Sequence, residues 1–105
     1  MTDLTPYISI LIPLYNELES IPEMYAQVTD ACTKIGRPYE ILWIDDGSRD
    51  GSGAALDDLV ARDPHVRVVH FRRNFGKSSA LASGFERVRG QSVVTLEADL
   101  QHDPA

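Results

Sequence analysis

The chain has 105 residues, 43% of them hydrophobic, and a formal net charge of −6 at pH 7. That length and apolar content suit one compact unit with a modest core and disfavour a disordered chain. The acidic balance gives no electrostatic reason to expect nucleic acid or an anionic membrane as partner, so an anionic ligand must find local positive charge.

Cys32 is the only cysteine, which excludes an intramolecular disulfide and a thiolate metal cluster and fits a reducing cytoplasm. The opening MTDLTPY lacks the basic-then-apolar layout of an export signal, and Ser9 and Pro13 interrupt the longest apolar stretch, Tyr7 to Tyr15. The segment is therefore expected neither to span a membrane nor to be exported.

Ile8 to Leu14, "ISILIPL", is a short β-branched run ending near proline and reads as a strand buried on both faces. Ser20 with Glu23 forms a capping-box pattern, and Ile21, Met24, Tyr25, Val28, Cys32 and Ile35 recur at helical spacing until Gly36. Tyr39 to Ser48, "YEILWIDDGS", repeats the strand pattern and runs into acids and glycine. Asp50 or Ser52 is placed to cap a second helix with an apolar stripe of Ala55, Leu56, Leu59 and Val60, which Asp63-Pro64 stops. Val66 to Phe71 reads as a third strand, and Leu81, Gly84, Phe85 and Val88 place a third helix between about Lys77 and Arg89, with Gly90 as terminator. "SVVTLEAD", Ser92 to Asp99, supplies a fourth strand. The alternation predicts an α/β fold, a Rossmann-like parallel sheet of about four strands with right-handed crossovers, occupying residues 1–105 as one unit.

Ligands of open α/β sheets bind beyond the carboxyl ends of the strands, and the unusual residues fall there. The four strands end in Pro13-Leu14-Tyr15-Asn16-Glu17, Asp45-Asp46-Gly47-Ser48, Arg72-Arg73-Asn74-Phe75-Gly76-Lys77 and Glu97-Ala98-Asp99-Leu100-Gln101. Asp99 and Gln101 offer hard oxygen ligands of the sparse kind that hold magnesium or manganese together with substrate phosphates. Lys77 at a helix start, with Arg72 and Arg73 upstream, offers positive charge and backbone N–H groups to a diphosphate; one of the two arginines is expected to face the site. Gly76-Lys77-Ser78 is not a P-loop, because Phe71 stands where the earlier glycine is required, and no G-x-G-x-x-G follows the first strand. A phosphoryl-accepting receiver domain is disfavoured because Asp45-Asp46 follows the second strand.

Together "ILIPLYNE", "EILWIDDGSRDGS", "RNFGKSSAL" and "EADLQHDP" resemble the N-terminal half of family-2 inverting glycosyltransferases of the GT-A fold. The likeness is greatest to the branch that loads sugars onto polyprenyl phosphates, dolichyl or undecaprenyl. The resemblance implies a nucleotide-sugar site in which Pro13, Tyr15, Asn16 and Glu17 surround the nucleoside and Asp46 bonds the base or ribose. It further implies that Gly76 and Lys77 meet the diphosphate, that Glu97-Ala98-Asp99 stands for the family's D-x-D motif, and that Asp99 and Gln101 hold Mn2+ or Mg2+. Glu97 is one methylene longer than the aspartate usual there, while Asp99, the residue expected to be catalytic through the metal, is intact.

The donor is expected to be GDP- or UDP-linked, the acceptor of the full-length enzyme a polyprenyl phosphate at the cytoplasmic face of the membrane. The chain itself reads as a truncated, inactive fragment without the acceptor half, whose fourth strand has an open edge inviting self-association. The alternatives are a non-catalytic nucleotide-binding or assembly module, and transfer to a glycan hydroxyl. His65 and His70 read as surface or strand residues, His102 as a solvated loop side chain, and Trp43, Cys32 and Met24 as core.

Overall fold

A computed structural model of the chain describes residues 5–97. The expected alternation is present as β1 (Ile8–Leu14), α1 (Ile21–Ile35), β2 (Tyr39–Asp45), α2 (Ser52–Arg62), β3 (Val66–His70), α3 (Lys77–Phe85) and β4 (Ser92–Thr95), with a 3-10 turn at Leu18–Ser20 before α1. All pairings are parallel, in the order β3-β2-β1-β4. The chain thus steps one way from β1 to β3 and then crosses back to the far side of β1. With right-handed crossovers, that reversal places helices on both faces: α1 and α2 pack with Ile10, Ile12, Ile41 and Trp43, while Ala80 of α3 packs with Leu11, Leu42 and Ile44. The central strands are accordingly apolar on both faces, and Leu11, Ile12, Ile41, Leu42, Trp43 and Ile44 are wholly buried. Each such side chain contributes on the order of 1.5–3 kcal/mol.

Several local expectations are corrected. Ser20 does not cap α1: the preceding 3-10 turn has already wound it into helical geometry, and its hydroxyl donates to Glu17 instead, at 3.1 Å. The other end is as expected, with Gly36 in the left-handed region at φ 74° and its N–H on Cys32 O. At α2 the N-cap position is Gly51, and the Asp50 carboxylate takes the Ser52 N–H and hydroxyl at 3.0 and 2.5 Å. Ile35 and Val60, expected in apolar stripes, are exposed.

Helix α3 ends at Phe85 rather than near Arg89. The N–H groups of Arg87 and Val88 both turn back to Gly84 O, and that of Arg89 leaves the helix for Glu40. Phe85 points to solvent because α3 approaches the sheet through Ala80 and Gly84; a Cβ on Gly84 would lie 2.2 Å from a Leu11 methyl. Strand β3 stops at His70 and β4 at Thr95, each short of expectation, and β4 is an exposed edge strand on which Val93 and Val94 face solvent.

At the amino end of the sheet Glu40 is 2% exposed. Its carboxylate accepts from Ser9 Oγ, Arg67 Nη1 and the Arg89 N–H, each at 2.6 Å, and from Arg89 Nε at 3.4 Å. Burial alone would raise its pKa, but these donors outweigh it and hold the carboxyl below its ordinary 4.5. Ser9 in turn accepts the Gly90 N–H at 2.8 Å.

Candidate functional site

Because the strand order reverses at β1, the crevice of the sheet opens between the carboxyl ends of β1 and β4. A cavity of about 410 Å³ lies there, lined by Pro13, Leu14, Tyr15, Glu17, Asp46, Asn74, Gly76, Lys77 and Glu97. Residues from four separate stretches of sequence therefore meet because parallel strands all present their carboxyl ends at one edge. Pro13 and Leu14 close β1, Tyr15 is 43% exposed, and Glu97 follows β4.

Asp46 organises the centre. It is 3% exposed, and its carboxylate accepts from Asn74 Nδ2 at 2.9 Å, Phe75 N–H at 2.8 Å and Gly76 N–H at 2.9 Å. It thereby ties the end of β2 to the loop that starts α3, and places negative charge where a helix N-terminus favours it. Gly47 makes the approach possible: it sits at φ 77°, and a Cβ there would lie 2.2 Å from the Arg73 carbonyl carbon. The first internal bond of α3 runs from Ala80 N–H to Gly76 O, so the amides of its opening turn are those a helix leaves for an anion.

A second layer supports the walls. Asn16 adopts φ 51°; its N–H donates to Ser48 Oγ at 2.9 Å and its side-chain oxygen accepts the Arg49 N–H at 2.8 Å. Asn16 thus knits the end of β1 to the turn after β2 and lines a second depression, of about 300 Å³, beside the cavity rather than the cavity itself. Asp50 accepts the Leu18 N–H at 3.1 Å; burial would raise its pKa, but its donors prevail and lower it. Asp45 accepts the Ser48 N–H at 2.9 Å and faces His70 at 2.9 Å, and the other ring nitrogen of His70 is 2.7 Å from Asp57.

Most residues expected at the site line the cavity: Pro13, Tyr15, Glu17, Asp46, Gly76, Lys77 and Glu97. Lys77, expected to face a diphosphate, makes an ion pair with Glu97. Arg72 and Arg73 are both exposed and outside the lining, with the Arg73 guanidinium 4.6 Å from the centre of the Phe75 ring. Ala98, Asp99, Gln101 and His102 lie outside the described residues, as does any ligand set built on them. Among the described residues there is no cluster of three or more His, Cys, Asp or Glu suited to a metal ion. Two lining residues were not singled out from sequence, Leu14 and Asn74; the signal for Asn74 was its place in "RNFGKSSAL". His70, read as a surface or strand residue, gave no signal, because its two acid partners are 25 and 13 residues away. Among the described residues no helix is long and apolar enough to cross a membrane.

Comparison with known proteins agrees with this fold. The chain is 48% identical over 98 residues to an undecaprenyl-phosphate 4-deoxy-4-formamido-L-arabinose transferase of Pseudomonas fluorescens, covering 92% of the chain and 29% of that protein. It is 46% identical over 99 residues to the protein of that name from Enterobacter sp., covering 92% of the chain and 30% of the relative. The chain therefore spans about 30% of the length of the curated relatives it matches. Among solved structures, a mannosyltransferase from Pyrobaculum calidifontis in complex with GDP-Man and Mn2+ superposes with a TM-score of 0.75 at 25% identity, over 94% of the chain and 30% of that protein. TarS 1-349 of S. aureus in complex with UDP-GlcNAc superposes with a TM-score of 0.71 at 18% identity, over 88% of the chain and 26% of that solved chain, a likeness of fold. The family model for glycosyl transferase family 2 matches residues 9–105, and the chain belongs to that family.

Proposed function

We propose that the chain is the nucleotide-sugar-binding part of a glycosyltransferase that transfers a sugar from a nucleoside diphosphate to a polyprenyl phosphate, with a divalent metal. The observation that carries this reading is the cavity itself, at the point where the strand order reverses, lined by residues of all four family-like motifs. The naming of two relatives as undecaprenyl-phosphate transferases supports the lipid acceptor, and the GDP-Man and Mn2+ of the Pyrobaculum enzyme support the donor class and the metal.

In this reading Pro13, Leu14 and Tyr15 form the apolar wall against the nucleoside, and Glu17 borders it. A carboxylate offers about four acceptor positions; three hydrogen bonds from the Asn74–Gly76 loop engage Asp46, which leaves about one for a ribose hydroxyl or a base N–H. Lys77 and the opening turn of α3 receive the diphosphate, and Glu97 sets the position of the Lys77 ammonium. Asp99 and Gln101, hard oxygen donors that follow the cavity-lining Glu97 closely in sequence, would hold the metal. That metal supplies Lewis-acid stabilisation of the charge that builds on the departing diphosphate. A phosphate acceptor is already ionised at neutral pH, so the acceptor side needs no strong general base.

Calorimetric titration of the chain with GDP and UDP, with and without manganese, tests the reading. Binding that requires manganese and disappears in Asp99→Ala is expected, and the preferred nucleotide identifies the base. Binding of neither nucleotide under either condition would defeat it.

A further inference from the structure

Behind the cavity lies a cluster for which the proposed chemistry has no use. His70 ends β3, Asp45 ends β2, and Asp57 stands on α2; His70 Nδ1 is 2.9 Å from Asp45 Oδ2 and Nε2 is 2.7 Å from Asp57 Oδ1. Space for the pair is provided by Gly53, where a Cβ would come within 2.9 Å of Asp45 Oδ2 and 3.4 Å of the ring. Both ring nitrogens meet carboxylate oxygen. Only the imidazolium satisfies both, because a neutral imidazole carries one N–H and turns a lone pair toward the remaining acid.

The cluster is joined to the site by a short chain of contacts. The other oxygen of Asp45 accepts the Ser48 N–H, and Ser48 Oγ accepts the N–H of Asn16, the residue after cavity-lining Tyr15. The residue after Asp45 is Asp46, which holds the Asn74–Gly76 loop. Two adjacent buried acids, Asp46 lining a cavity read as accepting an anion and Asp45 next to it, thus stand at one place, and the protonated His70 brings a positive charge to Asp45.

We propose that His70 is a positioning residue for the nucleoside diphosphate: clamped between Asp45 and Asp57, its imidazolium fixes the Asp45–Ser48 turn and offsets the charge behind the cavity. The inference rests on the nucleotide reading of that cavity. Loss of the His70 proton weakens ligand binding through the turn, without contact between His70 and ligand. The groups facing the ring are Asp45 from β2 and Asp57 from α2. Burial pulls the His70 pKa down, but the hydrogen bonds to Asp45 and Asp57 and their charges outweigh it, so the net displacement is upward from 6.5. The clamp is therefore complete below 6.5 and is lost as pH rises through the higher folded-state value. On deprotonation Nδ1–H stays with Asp45, since a buried acid left without a donor costs more than an exposed one, but as a neutral and weaker donor, while Asp57 is released; the Asp45–Ser48 turn is then held less firmly and loses its offsetting charge.

The test has two arms. In the first, the His70 ring and the backbone amides of Asp46, Ser48, Phe75 and Gly76 are followed by NMR from about pH 5.5 to about pH 8.5, the range of histidine titration. The amides are expected to move with the His70 midpoint, to lose that midpoint in His70→Gln, and to move with a lower midpoint in Asp57→Asn. Amides that stay still while His70 titrates would overturn the proposal whatever the cavity binds. In the second arm GDP and UDP are titrated with manganese at both ends of that range. Affinity is expected to fall roughly three- to tenfold at the alkaline end, the scale of one weakened charge-assisted hydrogen bond, and His70→Gln is expected to show no such fall beyond that of the nucleotide itself. An equal fall in both proteins would overturn the proposal. Failure of the unaltered chain to bind at either end would overturn the nucleotide reading instead, and the first arm would still decide the clamp.

Discussion

The two ends of the sheet bury carboxylates in opposite ways. At the amino end Glu40 is enclosed by the Arg67 and Arg89 guanidinium groups, the Arg89 amide and a serine hydroxyl, so charge is matched by charge. At the carboxyl end Asp46 is enclosed by three neutral N–H donors from one loop and borders a cavity. A buried acid closed off by cations fastens strands and turns together; a buried acid held by amides at the rim of a cavity arranges a surface for something else. The difference gives one end a role in stability and, on the function proposed above, leaves the other for ligand recognition.

The sharpest way to break that assignment is Glu40→Ala. It leaves the Ser9 hydroxyl and the Arg89 N–H without their acceptor, while Arg67 and Arg89, with 33% and 62% of their side chains exposed, turn to water; urea unfolding should show a loss of about 2–4 kcal/mol, with nucleotide affinity unchanged in the molecules that remain folded. A large loss of affinity in the folded fraction would erase the contrast. Asp46→Asn should do the reverse. It costs about 1–2 kcal/mol of stability through weakened bonds to the Asn74–Gly76 loop but lowers GDP or UDP affinity more than about tenfold, or about 1.4 kcal/mol, in calorimetry.

Acid titration sharpens the comparison further. The pKa values of Glu40, Asp50 and Asp63 are held below their ordinary 4.5, 3.8 and 3.8, because hydrogen-bond donors outweigh the opposing effect of burial. Depressed acids contribute stability that is fully present above the ordinary value and lost as pH falls through the folded-state value. Below the His70 transition the urea midpoint should therefore stay level down to the ordinary carboxyl values and drop below them, and Glu40→Gln should make the drop shallower. A drop that is as steep in the variant would show that Glu40 is not a main source of it. The smallest effect is expected at Lys34, paired with Asp30 on the open face of α1 with 76% and 67% of the side chains exposed: Lys34→Ala should cost no more than about 0.5 kcal/mol, within the scatter of a thermal melt.

The elements were legible in the sequence because their causes are local. The β-branched apolar runs of β1 and β2, the 3.6-residue periodicity of α1, its glycine stop at Gly36 and the Asp63-Pro64 stop of α2 each act within a few residues. The cavity was legible at the level of motifs, since parallel strands must bring their carboxyl ends to one edge, which gathers Tyr15, Asp46, Lys77 and Glu97 without further information. What depends on contact between distant residues was not. The early end of α3 is set when the Arg89 amide meets Glu40, 49 residues away, and Phe85 faces water because Gly84 rests on Leu11. The choice of Asp46 to grip the Asn74–Gly76 loop, and of Asp45 and Asp57 to clamp His70, likewise arises only once β2, β3, α2 and α3 are packed, because a short acid has no preferred partner until the fold brings donors within about 3 Å of it.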